Sequence, residues 1–185
     1  MLSGYNNPAT DTCCSPACTG RRVAELGITV ALSLVLGFWS FAPAPQGGQV
    51  SLDLVPLLVL SRLRGATAGL LAGALYGSLH ALQEPIILHP IQGFLDYPLA
   101  FSLLGLAGVL PPKASWDIPG VILGVGARLT AHVLSGVYFL HLFIPVDQMP
   151  ASPLVYSLAY NATWLVPAGL LAAFLVPILA RAGRR

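Results

Sequence analysis

The sequence contains few charged residues. Only 9% of its 185 residues are Asp, Glu, Lys or Arg, whereas an average soluble protein has about 25%. Lys113 is the single lysine, and 56% of the residues are hydrophobic. This composition leaves no room for a soluble domain of any size. It indicates an integral membrane protein, for which we expect no nucleic-acid partner.

Several motifs with a known chemistry are also missing. The chain has no G-x-x-x-x-G-K-[ST] loop for ATP and no HExxH pair for zinc. Its three cysteines, Cys13, Cys14 and Cys18, have no fourth metal ligand nearby, so we expect reduced thiols and no metal. Because the stretch 1–22 lacks the order of a signal peptide, we interpret it as a flexible cytoplasmic tail. We expect no cofactor.

Long apolar runs take up the rest of the chain, separated by stretches rich in Pro, Gly and polar residues. Each is about long enough for a transmembrane helix of about 20 residues, except the second, which we interpret as a short or steeply tilted helix. Continuous runs rich in Leu, Ala and Gly argue against the alternating strands of a membrane barrel. The runs are 23–42, 53–63, 66–82, 93–110, 118–142 and 153–180. They predict an all-α bundle of six transmembrane helices.

The basic residues predict the orientation of this bundle. Arg128 lies deep within an apolar run, and the other eight of the 9 Lys and Arg residues fall in or at the edge of alternate connections and at the two ends. The positive-inside rule then places both termini in the cytoplasm. We therefore expect a multi-pass protein of the bacterial cytoplasmic membrane. Its predicted parts are the tail 1–22, the membrane domain 23–180 and a basic cytoplasmic end 181–185.

Polar residues inside the last three runs are predicted to meet. At about 1.5 Å per residue, Asp96 lies roughly 6 Å below the outer boundary, and His132 and Asn161 roughly 12 to 15 Å below it. A charged group at the membrane centre costs about 2.5 to 3.5 kcal/mol, so one shared cavity would serve them all. The alternative is a set of structural ion pairs and satisfied hydrogen bonds. Tyr97 and Tyr156 lie near the level of Asp96.

Arg128 precedes His132 by one helical turn, so the two share a helix face, and we expect Arg128 to reach toward Asp96. A carboxylate favours a cation, an amide both donates and accepts, and tyrosine faces suit flat rings. The set therefore suits a small, flat, positively charged heteroaromatic ligand that arrives from outside.

Four segments resemble a known family. They are "VPLLVLSRLRGATAGLLAGALYG", "HPIQGFLDYPLAFSLLGLAG", "RLTAHVLSGVYF" and "YSLAYNATWL". Together they resemble the thiamine-specific S component of energy-coupling factor (ECF) transporters, the ThiT family, over residues 22–180. The resemblance implies a six-helix S-component bundle that binds thiamine and is not an enzyme.

The same resemblance implies a set of ligand-binding residues. The family's site matches "LDYP", "HVLSG" and "YSLAYN" in this chain. By that match the carboxylate binds the polar face of the ligand, and a glycine lets the ligand approach the fifth helix. The implied residues are Asp96, Tyr97, His132, Gly136, Tyr156 and Asn161, with Arg128 and Tyr160 as further candidates.

The chain departs from the family at two aromatic positions. Leu140 stands where some members have tryptophan, and the connection 43–50 contains no aromatic residue. The ring that stacks on the ligand is therefore not identified by the motifs. Aromatic residues that could substitute are Tyr160, Tyr138, Tyr76 and Trp39.

Transport requires partners, since this chain cannot bind ATP through the usual loop. The resemblance implies a transmembrane coupling protein and two ATPase subunits. Gly27 and Ala31 form a small-xxx-small pair that permits close helix approach, and the resemblance implies docking there. Two alternatives stay open: an S component for another vitamin or for hydroxymethylpyrimidine, and an intramembrane enzyme that uses His132 with Asp96 or Ser135.

Overall fold

A computed structural model describes residues 16–41, 48–83 and 86–185. These residues form helices, and the predicted all-α class is confirmed; the one strand-like feature among them is an isolated bridge between Phe41 and Val50. The helices are α1 (Pro16–Gly37), α2 (Leu54–Arg64), α3 (Ala66–Gln83), α4 (Pro90–Phe94), α5 (Ala100–Leu103), α6 (Asp117–Phe139) and α7 (Pro153–Gly183).

The apolar runs coincide closely with these helices. α1 starts at Pro16, before the apolar run that predicted it begins. An Arg21–Glu25 ion pair at i,i+4 spacing stabilises this early part of the helix. Its first turns therefore belong to the stretch predicted as a tail, while Cys13 and Cys14 lie outside the described residues. Two described stretches, Ala114–Leu142 and Pro153–Gly183, are long and apolar enough to cross a membrane. The prediction of six crossings stays a prediction.

The second helix is short and central. α2 has 11 residues, about 16 Å of helix, which is well below the thickness of about 30 Å of a bilayer core. Leu54, Leu57 and Leu58 are almost fully buried and pack in one core with residues of α3, α6 and α7. The run predicted as a short helix is thus the centre of the bundle.

Residues 90–109 form a broken helix. α4 passes into a π-helical turn, Leu95–Leu99, then into α5 and a 3₁₀ segment, Leu104–Val109. Its backbone lies directly on α3, where a Cβ built on Gly73 would come within 2.2 Å of the Phe101 carbonyl oxygen and one on Gly77 within 2.4 Å of the Tyr97 oxygen. These two glycines allow the close approach that seats the π turn.

A buried cluster of charges closes one end of the bundle. Arg62, with no exposed side-chain surface, donates from Nε to Asp117 at 3.1 Å and from Nη1 to the Ala107 carbonyl at 2.7 Å. Asp117 also accepts from Arg184, at the end of α7. We call this group the clasp. Arg62, predicted at the edge of a connection, and Arg184, predicted in the basic cytoplasmic end 181–185, are therefore held in the bundle.

Candidate functional site

The opposite end of the bundle contains a cavity. It lies where α2 and α7 begin and where α3 and α6 end, beside the start of the broken helix. All eight residues that the sequence singled out for ligand binding line it: Asp96, Tyr97, Arg128, His132, Gly136, Tyr156, Tyr160 and Asn161. The structure thus brings the polar residues of three apolar runs together, while their contact with a ligand stays a prediction.

Asp96 is held in this cavity by three hydrogen bonds. It lies in the π turn and accepts from Gln92 Nε2 at 2.6 Å, from the Ser135 hydroxyl at 2.9 Å and from His132 Nδ1 at 3.1 Å. Its side chain keeps 22% of its surface exposed. Donors from the broken helix and from α6 therefore fix the carboxylate while one face stays open to the cavity.

Arg128 reaches toward Asp96, as expected from the sequence, but through His132 and not by direct contact. Arg128 Nε donates to His132 Nε2 at 3.3 Å, one helical turn further along α6. Because Arg carries only donors, His132 Nε2 must accept and Nδ1 must carry the proton that is donated to Asp96. Histidine is therefore a neutral link between the guanidinium and the carboxylate.

The guanidinium itself is packed between rings. Its central carbon lies 3.8 Å from the centroid of Phe101 and 5.6 Å from that of Trp164, in the range of cation–π attraction. Arg128 Nη1 and Trp164 Nε1 are buried and have no hydrogen-bond partner within the described ranges. Both residues line the cavity, so two unsatisfied donors lie beside it.

Ser135 is positioned by the carboxylate and not by the imidazole. Its hydroxyl donates to Asp96, and both nitrogens of His132 already have partners in Asp96 and Arg128. A Ser135–His132 nucleophile pair is thus not assembled.

Gly136 and Asn161 join α6 to α7. A Cβ on Gly136 would lie 2.1 Å from Ser157 Oγ, so the missing side chain leaves room for Ser157. Asn161 Nδ2 donates to the Ser157 carbonyl at 2.8 Å and approaches its hydroxyl at 3.3 Å. Ser157 in turn donates to the Val133 carbonyl at 3.1 Å, which orients the amide toward the cavity wall.

The aromatic residues named from the sequence differ in whether they line the cavity. Of the four substitutes named from the sequence, Tyr160 lines the cavity and stacks on Tyr156 with ring centroids 6.4 Å apart. Trp39 and Tyr138 are 85% and 69% exposed, and the buried Tyr76 binds Asp53.

Trp164 also lines the cavity, but it was not predicted from the sequence. Its position one helical turn after Asn161 in "NATWL" would have indicated it. Leu140 also lines the cavity, and residues 43–47 lie outside the described residues.

The cavity has a second carboxylate, which was not predicted from the sequence. Asp53, at the start of α2, lines the same cavity and is 2% exposed. Among the described residues of the lining, Asp53 and Asp96 are the anions and Arg128 is the cation. With His80 and His132 taken as neutral, the described side chains of the lining therefore sum to one net negative charge.

A bundle of apolar helices that encloses a polar cavity near one end is typical of a membrane protein with a small-molecule site. The sequence model of the family described as "Thiamine transporter protein" matches residues 23–185. The chain belongs to this family.

Individual relatives agree. The chain is 33% identical over 175 residues to the thiamine transporter ThiT of Bacillus subtilis, covering 85% of this chain and 89% of the relative. It is 29% identical over 156 residues to that of Lacticaseibacillus paracasei, covering 75% and 76%. The solved structure of ThiT from Listeria monocytogenes superposes with a TM-score of 0.77 at 26% identity, covering 89% of this chain and 96% of that one. These relatives are named as transporters, so the role is transport and not catalysis.

Proposed function

We propose that this chain is the substrate-binding S component of an ECF-type importer and captures thiamine from outside the cell. The observation that carries the proposal is the fixed Asp96 carboxylate in a cavity with one net negative charge. Thiamine offers a permanent cation and an aminopyrimidine with donors and acceptors. Membership of the thiamine transporter family supports the same ligand.

In this proposal the two halves of the ligand meet different groups. Asp96 and Asn161 bind the aminopyrimidine edge, since a carboxylate and an amide match its donors and acceptors. Tyr156, Tyr160 and Trp164 offer faces and edges to the rings. The net negative charge favours the thiazolium. A neutral ligand such as hydroxymethylpyrimidine would gain nothing from that charge.

The membrane topology is part of the proposal. Six crossings with both termini in the cytoplasm of a bacterium would place the cavity in the outer half of the membrane and the clasp in the inner half. The connection 43–50 would then close over the ligand, and Gly48 and Gln49 of this connection line the cavity. Release to the inside requires ATP hydrolysis by partners, because the chain has no ATP-binding loop of its own.

The direct test is calorimetric titration of thiamine into the purified protein in detergent, without ATP or partners. We expect saturable binding of one thiamine that riboflavin does not displace and that hydroxymethylpyrimidine displaces only weakly. Binding of hydroxymethylpyrimidine or another vitamin in preference to thiamine would overturn the assignment of the ligand while leaving the cavity as a binding site.

Substitutions on α1 test whether the chain docks there on its partner subunits. Gly27 and Ala31 are exposed on one face of this helix, and a Cβ on Gly27 would meet nothing within 4 Å inside the chain. Leucine at both positions should leave thiamine binding intact and abolish ATP-driven uptake in reconstituted vesicles. Val35→Leu, at an exposed position of the same helix, is the matched control. Unchanged uptake by the double variant would exclude docking through this pair.

A further inference from the structure

The second carboxylate of the cavity is held by neutral donors alone. Asp53 Oδ2 accepts from the Tyr76 hydroxyl at 2.7 Å, and Oδ1 accepts from the Leu54 backbone N–H at 2.8 Å and from the Ser51 hydroxyl. Within the described part of the chain it forms no ion pair closer than 4.0 Å. Its charge is thus fixed and oriented but is not neutralised by direct contact with a cation.

The cap of α2 alone does not require this charge. Asp53 caps α2 at its N-terminus, but serine, threonine or asparagine would serve that purpose without a charge. A buried carboxylate is costly unless it is well bonded, and the fully buried Tyr76 is oriented toward it. The charge also stabilises the buried Arg128 guanidinium without direct contact, and its place on the wall of the cavity lets it act on a ligand as well.

The charges of the cavity show what Asp53 adds. Without it, Asp96 and Arg128 would balance, and the cavity would be neutral. With it, one negative charge is left over. A charge in a partly desolvated cavity acts over several ångströms without direct contact, so Asp53 can favour a cation that does not touch it.

We propose that Asp53 is a specificity-determining residue that makes the cavity select a cationic ligand over a neutral one of the same shape. This inference rests on the proposed thiamine-binding function. Asp96 fixes where the ligand binds through hydrogen bonds, whereas Asp53 supplies the surplus charge that its positive ring requires.

The test varies the charge of the protein and the charge of the ligand independently. Thiamine and its neutral thiophene isostere, in which carbon replaces the thiazolium nitrogen, are titrated into the wild type, Asp53→Asn and Asp53→Ser. Both variants retain an acceptor for the cap of α2. We expect thiamine binding to weaken about tenfold in both variants, while affinity for the neutral isostere changes less than twofold.

Tyr76→Phe is the matched control, since it removes a hydrogen bond from Asp53 and keeps the charge. It should retain the preference for thiamine over the isostere. Equal weakening of both ligands in the Asp53 variants, or no weakening of either, would overturn the inference while leaving thiamine binding by the wild type established. Failure of the wild type to bind thiamine would overturn the proposed function, and this inference with it. Thermal unfolding of each variant verifies that it is folded.

Discussion

Nε of Arg128 and Nε2 of His132 lie 3.3 Å apart, and the second nitrogen of the same imidazole lies 3.1 Å from Asp96. Two hydrogen bonds thus connect the buried guanidinium, through the imidazole, to the carboxylate at the cavity wall. Each member fixes the orientation of the next, because arginine only donates and the ionised carboxylate only accepts. The cavity is therefore ordered before a ligand arrives, which lowers the entropy cost of binding.

Replacement of Asp96 by asparagine should weaken thiamine binding. The amide of the new residue would place a donor against Gln92 or Ser135, which already donate to this position. Hydrogen bonds to charged groups contribute about 1.5 to 3 kcal/mol, so we expect a loss of about ten- to a hundredfold by titration calorimetry. Asp147→Asn, at an exposed site outside the cavity lining, is the control. Equal affinities for the two variants would contradict a role for Asp96 in the site.

Ligand binding should change the intrinsic fluorescence through one tryptophan. Trp164 lines the cavity, whereas Trp39 and Trp116 are 85% and 41% exposed. A flat ring close to the indole should quench its emission, so we expect Trp164→Phe to lose most of the signal and Trp39→Phe to keep it. Titrations monitored by fluorescence distinguish the two. A full signal in Trp164→Phe would place the ligand elsewhere.

Gly136→Ala should destabilise the protein as well as weaken binding. The new Cβ would lie 2.1 Å from Ser157 Oγ, and overpacking of this kind costs about 1 to 3 kcal/mol. Combination with Ser157→Ala should restore part of the stability. Gly126→Ala, on the same helix with nothing within 4 Å, should instead stabilise by about 0.5 to 1 kcal/mol. Unfolding in detergent measures both, and identical effects at the two glycines would refute the packing argument.

The clasp should matter for stability and not for ligand affinity. Arg62→Met leaves Asp117 with only Arg184 and removes donors from several carbonyls. Breaking a buried ion pair costs about 3 to 5 kcal/mol, which thermal or denaturant unfolding would detect. The matched change Arg64→Met breaks an exposed pair with Glu25, worth about 0 to 1 kcal/mol. A large loss of thiamine affinity in the folded Arg62 variant would contradict the separation of the two ends.

The sequence was sufficient for the helices and for much of the cavity. A continuous apolar run in a membrane protein has few choices other than a helix, and a polar side chain within it must face a partner or a cavity. Asp96, His132 and Asn161 obey that rule, and they line one cavity. The i,i+4 spacing also predicted the shared face of Arg128 and His132, which the contact between them confirms.

Other features depend on packing that a linear pattern does not express. Asp53 opens an apolar run, where it resembles an ordinary helix cap; its partner Tyr76 lies 23 positions away on α3. Arg62 adjoins a connection and was counted with the basic residues outside the membrane, yet carbonyls of the segment 107–113 surround it. The indirect route from Arg128 to Asp96 depends on rotamers, which spacing leaves open.

The π turn at Leu95–Leu99 makes this site sensitive to chain length. A π turn accommodates one more residue than an α turn, and each residue of a helix turns the side chains by about 100°. Deleting one residue there would convert the π turn into an α turn but rotate Gln92 relative to Phe101, so that both could no longer line the cavity. Loops elsewhere can gain or lose residues with little harm, whereas here the spacing itself is part of the site. An insertion or deletion in this turn would therefore be more damaging than most substitutions.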